Sequence, residues 1–224
     1  MESLGESTYK NLTLQFTGRN VAGMQFDFAY TLGKSEDNAP ITSVLSVLGD
    51  AGRADPDDLD YDLGPNVLDQ RHTFTGSIVA RPHLDGGNGF VRAIVNDTIL
   101  GLAMQFANGI PINIRSTTEI NNDGISSDRP VGATRNSLSL PARYNVDMRL
   151  SRQVPLGGSR KGEVIAEVKN LFNIVQWSGV SNAAVVVVPA TGVPVNPLPT
   201  SGDQLTPNGG YEQRQLQIGF RFVF

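Results

Sequence analysis

The sequence predicts an all-β fold, an antiparallel up-and-down transmembrane β-barrel with short turns at one end and long loops at the other. Two observations carry this. First, Leu216, Ile218, Phe220, Phe222 and Phe224 alternate with Gln217, Gly219, Arg221 and Val223, so the last strand has one apolar face and one small or polar face. Second, the same alternation recurs along the chain, and the lengths of the connections between the alternating segments themselves alternate. Lipid outside and a wet lumen inside produce this pattern in a barrel wall.

The strands follow in order. Leu12, Leu14 and Phe16 form the first apolar face, and Met24, Phe26, Phe28, Tyr30 and Leu32 the second. Phe74, Gly76, Ile78 and Ala80 form a weaker third. Leu100, Leu102, Met104 and Phe106 form a fourth, with a possible extension through Ile110, Ile112 and Ile114. Tyr144, Val146, Met148 and Leu150 form the fifth, and Val164, Ala166 and Val168 the sixth. The terminal strand is the seventh. Asp27, Asp147, Arg149, Glu167, Lys169 and Arg221 fall on the opposite face, which a barrel turns toward its lumen and a soluble sandwich toward solvent.

Connections decide between those two. Residues 18–23 and 154–161 are short turns, whereas extracellular loops are expected at 33–72, 115–143 and 171–210, with 1–8 a loop remnant and 211–224 the closing strand. Connections of such length are uncommon in compact soluble domains. Here they fall on alternate hairpins and so at one end of the sheet. The connection from Arg81 to Asp97 is longer than a tight turn and breaks the pattern; its stretch Phe90 to Val95 could supply an eighth strand.

Composition limits the other classes. Mean hydropathy is −0.16. The longest apolar run, Ala183 to Val188, ends at Pro189, far short of the roughly 18 residues a membrane helix needs. The net charge of −4 leaves no basic footprint for nucleic acid. Met1 to Glu6 lacks the basic and apolar regions of an export signal, so the expectation is the C-terminal piece of a longer exported chain.

Several phrases resemble the C-terminal barrel of TonB-dependent outer-membrane receptors, in particular the branch with Oar-like barrels. They are Tyr30-Thr31-Leu32-Gly33-Lys34-Ser35-Glu36-Asp37-Asn38, Leu68-Asp69-Gln70-Arg71-His72-Thr73-Phe74 and Asp128-Arg129-Pro130. Arg135-Asn136-Ser137-Leu138, Tyr144-Asn145-Val146-Asp147 and Glu167-Val168-Lys169-Asn170-Leu171-Phe172-Asn173 complete the set. The resemblance covers about residues 25 to 224. It implies the last third of a wall of about 22 strands, with the plug and energy-coupling box absent from this chain. It also implies an outer-membrane location and energy-coupled uptake of an unidentified extracellular ligand. The implied partners are outer-membrane lipid, the barrel assembly machinery, and the TonB complex acting through the plug. Leu216, Ile218, Phe220, Phe222 and Phe224 would be the assembly signal, read by strand pairing, and Asp147, Arg149, Glu167, Lys169 and Arg221 would face the lumen.

Two alternatives remain from the residues themselves. One is a soluble secreted β-sandwich binding carbohydrate or protein through its loops. The other is a self-contained small barrel with a structural or adhesive role.

No catalytic residue, cofactor site or nucleic-acid site is expected. With only His72 and His83 and no cysteine, a transition-metal site is not expected, and His72 is expected to hold the start of its strand through hydrogen bonds. Ser126-Ser127-Asp128 has no placed base. Asp85-Gly86-Gly87-Asn88-Gly89 lacks the flanking strand and amphipathic helix of a phosphate cradle. Asp55, Asp57, Asp58, Asp60 and Asp62 are a weak calcium candidate, without EF-hand spacing, and a solvated acidic loop is the simpler reading.

Overall fold

The structure is a computed structural model that describes residues 5–38, 58, 60–122, 128–158, 160–189 and 191–223. Seven strands form the wall: Ser7–Val21, Met24–Asp37, His72–Ala80, Thr98–Ala107, Arg143–Gly157, Arg160–Lys169 and Gln215–Val223. Each is antiparallel to its neighbour in the chain, so order in the sheet follows order in the sequence. The sheet is open, with the first and seventh strands at its two edges. The first strand starts at Ser7, inside the stretch expected to be a loop remnant.

Register converts the alternation into two continuous surfaces. Gly18, Phe26, Ile78, Leu102, Met148, Val168 and Leu216 are successive cross-strand partners, so one apolar row crosses all seven strands. The adjacent row on the other face runs Gln25, Val79, Gly101, Arg149, Glu167, Gln217. A slip of one residue in any pair would swap the faces of that strand. The apolar surface carries a chain of aromatic rings, Phe16, Phe26, Phe28, Phe74, Phe106 and Tyr144. Successive centroids are 5.3, 5.5, 6.0, 5.5 and 5.9 Å apart, within the range of favourable ring pairs. These side chains have no protein layer over them: Phe16 is 66% and Phe220 69% exposed. Such a surface needs an apolar solvent.

The two ends differ. At one, Ala22 and Gly23 both have positive φ, the geometry that joins tightly twisted strands, and Gly157 and Gly158 do the same in the second short turn. The third connection at this end carries a helix, Gly89–Val95, in the stretch that the sequence offers as an eighth strand. The Asn88 side chain accepts from the Phe90 amide at 2.8 Å and caps the helix, and consecutive apolar residues without alternation have no strand face to form.

At the other end the long connections fold on one another. Ile112, Ile114, Leu138, Leu140, Val180, Val185, Val187 and Leu205 form a buried cluster, with Ile110, Ile120, Trp177 and Leu198 against it. Among the described residues, the buried apolar side chains therefore gather in the loops, with Ala107 at the end of the fourth strand the exception on the wall. The fourth strand stops at Ala107, so Ile112 and Ile114, considered as its extension, turn into this cluster. Gly109 is the reason the chain can turn there: a Cβ would lie 1.7 Å from the Leu140 carbonyl oxygen. Pro111–Ile112 then pairs with Leu138–Ser139, Arg115–Ser116 runs parallel to Ala183–Val185, and Trp177–Val180 pairs with Pro207–Gly210. In the apolar run Ala183 to Val188, Val185 and Val187 point in and Val186 and Val188 point out.

Gly109→Ala should therefore loosen the loops and spare the wall. The expected outcome is faster protease cleavage within residues 108–142, with unchanged heat-modifiable migration of the barrel. Parent-like cleavage would show that the close approach at Gly109 is not needed.

Candidate functional site

Two features of the long-loop end place polar side chains in fixed geometry, and the first is a buried clamp. The second strand ends at Asp37, whose side chain is paired with Arg135 from the second long loop. The Arg135 guanidinium, fully buried, also donates to the Asp37 carbonyl at 2.7 Å and the Asp62 carbonyl at 3.1 Å. Arg129 forms a second buried pair, Nη1 to Asp62 Oδ1 at 2.7 Å, donates to the Tyr61 carbonyl at 2.5 Å, and has its guanidinium 4.4 Å from the Tyr61 ring centroid. Charges this far from water persist only when paired, and both arginines are, although Arg129 Nε has no hydrogen-bond partner. Around them Ser35 N donates to Asp69 Oδ1 at 2.5 Å, Asn66 donates its side-chain amide to Asp37, and Asn136 donates to the Pro65 carbonyl at 2.7 Å.

The clamp collects phrases that lie far apart in the chain. Asp37 is the penultimate residue of the first, Asp69 lies in the second, and Arg129 and Arg135 belong to the next two. The sequence offered no reason for these residues beyond resemblance. The Glu167 to Asn173 phrase has a local explanation. Asn170 and Asn173 take positive φ, Asn170 is buried, and its side chain both accepts from Ile174 N and donates to Ile174 O at 3.0 Å. Asp147 on the neighbouring strand accepts from Asn170 N at 2.9 Å, which stops the sixth strand.

The second feature is the polar face below the loops. Register puts Asp147, Arg149, Glu167, Lys169 and Arg221 on one side of the sheet. Four of the five are ion-paired: Arg149 meets Glu167 at 2.6 Å, Lys169 meets Glu212 at 3.4 Å, and Arg221 pairs with Glu163. Asn145 donates to Asp147 at 3.0 Å, and Asp27 accepts from Gln15 and Thr17. Where the third loop crosses this face, Arg143, Asn145, Asp147, Lys169, Gln176, Tyr211 and Glu212 line a recess of about 310 Å³. Arg143 stacks on Tyr211, its guanidinium 4.1 Å from the ring centroid. Donors, acceptors and an aromatic ring converge there, an arrangement suited to holding a polar ligand.

The remaining candidates fall into place individually. His72 bonds Tyr30 through Nδ1 and the phenol oxygen at 2.7 Å, and its amide donates to Asn108 Oδ1 at 2.9 Å. His83 pairs with Asp85 at 3.1 Å in an exposed turn. Of the five carboxylates weighed for calcium, Asp62 is wholly buried and paired with Arg129. Asp58 accepts from the amides of Asp60 and Tyr61, a local turn, and Asp55 and Asp57 lie outside the described residues. Leu216, Ile218, Phe220 and Phe222 are exposed along the edge strand, and Phe224 lies outside the described residues.

Removing one partner of the clamp should cost more than removing both. Arg135→Leu strands the Asp37 carboxylate in the interior and should destabilise the loop region by about 3–5 kcal/mol, whereas Arg135→Leu with Asp37→Leu should cost less. Hydrogen exchange of loop amides in the folded barrel measures both. Equal protection in parent and single variant would contradict the assignment.

A comparison with curated proteins and one with solved structures find no match. A scan of family profiles matches residues 1–134, more than half of the chain, to the outer membrane beta barrel domain. Together with the antiparallel wall and its unpartnered apolar surface, that match identifies the chain as a member of the outer membrane beta barrel domain family, located in the outer membrane.

Proposed function

We propose that the chain forms part of the barrel wall of a TonB-dependent receptor that takes up an extracellular ligand by energy-coupled transport. The observation that carries this reading is the convergence of the family-like phrases around Asp37, Asp62, Arg129 and Arg135. Phrases that only resembled a receptor separately make one buried structure together, which ties three loop segments to the rim of the wall. The open sheet supports a larger barrel. Its edge amides and carbonyls require partner strands in a bilayer, where water cannot satisfy them. Each edge would pair with further wall strands of the intact receptor.

In this reading the chain supplies wall, loops and assembly signal, and no catalysis. Asp147, Arg149, Glu167, Lys169 and Arg221 line the lumen, where the pairing of Arg149 with Glu167, Lys169 with Glu212 and Arg221 with Glu163 keeps the passage polar without a large net field. The loops and the recess beside Tyr211 form part of the outer vestibule. Lipid covers the apolar face, a plug from elsewhere in the receptor fills the lumen, and the TonB complex acts on that plug.

The intact protein, purified from outer membranes, should be retained on the immobilised periplasmic domain of the organism's TonB. No retention would overturn the transporter reading. So would refolding of residues 1–224 alone into a closed, heat-modifiable barrel, which would favour the self-contained small barrel.

The assembly role has its own test. Phe222→Ser, or a polar tail added after Phe224, should reduce insertion of the intact protein into the outer membrane several-fold, measured as heat-modifiable protein in the membrane fraction. Parent-like insertion would remove the signal role.

A further inference from the structure

The connection between the third and fourth strands is far longer than the other two at its end, and it contains the helix Gly89–Val95. That helix presents its apolar side chains to no protein layer. Phe90 is 72%, Val91 46% and Ile94 48% exposed, and none of its residues is fully buried. Arg92 is its one charged residue, and it donates to the Asp85 carbonyl at 3.3 Å.

The wall fixes where this helix sits. Thr98 and Arg152 are cross-strand partners, and by alternation both belong to the apolar face with Leu100 and Leu150. Thr98 Oγ1 donates to the Ile94 carbonyl at 2.8 Å, and Arg152 donates to the carbonyls of Ala93 and Ile94. Two residues of the lipid-facing surface thus satisfy the orphan carbonyls at the end of the helix and hold it against the outside of the wall. Val154 and Leu156, farther along the fifth strand and also exposed, carry the apolar face down to the same rim.

We propose that this helix is an interfacial anchor, with Phe90, Val91 and Ile94 seated among the acyl chains of the leaflet at the short-turn end of the barrel. Lipid is the occupant because the helix continues a surface that already faces lipid. Arg152 fits the same depth: its stem runs along apolar surface while its guanidinium reaches the polar boundary, as interfacial arginines do. A short apolar helix tied to the wall in this way adds buried area where the bilayer ends, and it sets how deep the barrel sits. The inference rests on membership of the outer-membrane family and is independent of energy-coupled transport.

Spin labelling tests it directly. The chain contains no cysteine, so Phe90→Cys and Ile94→Cys can each be labelled in the intact protein, with any cysteine outside this chain replaced, and reconstituted in phospholipid bilayers. Ile218→Cys provides a lipid-facing reference and Gly86→Cys a water-facing one. The expected result is that labels at 90 and 94 collide preferentially with oxygen over a water-soluble nickel chelate, as at 218. Preference for the nickel chelate, as at 86, would overturn the proposal in favour of a solvated turn. Low access to both reagents would overturn it in favour of a protein partner covering the helix. Phe90→Asp supplies a second readout: the barrel should still fold, with the label at 94 shifted toward nickel access. An unchanged label at 94 would show that Phe90 does not hold the helix in lipid.

Discussion

Everything in this molecule follows from one constraint: inside a bilayer, each backbone amide and carbonyl must find its partner within the protein. An antiparallel sheet meets that demand strand by strand, and its pleat then forces side chains to alternate between lipid and lumen. The row from Gly18 to Leu216 and the row from Gln25 to Gln217 are the two consequences, one residue apart. The wall needs no buried core of its own, because lipid does for Phe28 or Leu102 what a second protein layer does in a sandwich.

Charge obeys the same division. Arg149 with Glu167 and Arg221 with Glu163 lie across neighbouring strands on the polar face, and in each pair the arginine is open to water although Glu163 itself is buried. Arg129 and Arg135 are handled differently. They are buried, and each bonds a carboxylate together with backbone, Arg129 the Tyr61 carbonyl and Arg135 the carbonyls of Asp37 and Asp62. Burying those groups is expensive, so the gain lies in geometry: Arg135 binds the second loop to the end of the second strand and Arg129 binds it to the first loop, at one register only. The apolar cluster around Ile114 and Val187 then has a fixed platform on which to pack.

The wall was legible because its signal is local and repeats every second residue. Phe26 and Phe28 announce their face without knowledge of Phe74 or Phe106. The loops were not legible in the same way. Ile110, Ile112 and Ile114 alternate as well as any wall strand, yet Gly109 and Pro111 turn them into the loop core. Phe90 to Val95 could be weighed as a strand because a short apolar run suits either element; the Asn88 cap and the carbonyl bonds from Thr98 and Arg152 make it a helix. Asp62 read as one of five loop carboxylates until Arg129, distant in sequence, closed over it.

The amino-acid sequence by itself determined the strands of the wall, the faces they turn to lipid and lumen, and the end at which the long loops gather. Periodicity and connection length are properties of neighbours in the chain. The tertiary structure alone decided that those loops share a buried core, that Asp37, Asp62, Arg129 and Arg135 form one clamp, and that the odd connection holds a helix against the lipid-facing rim. Those arrangements depend on which distant residues meet, and the cost of leaving a buried charge or carbonyl unpaired selects among meetings that local pattern leaves open.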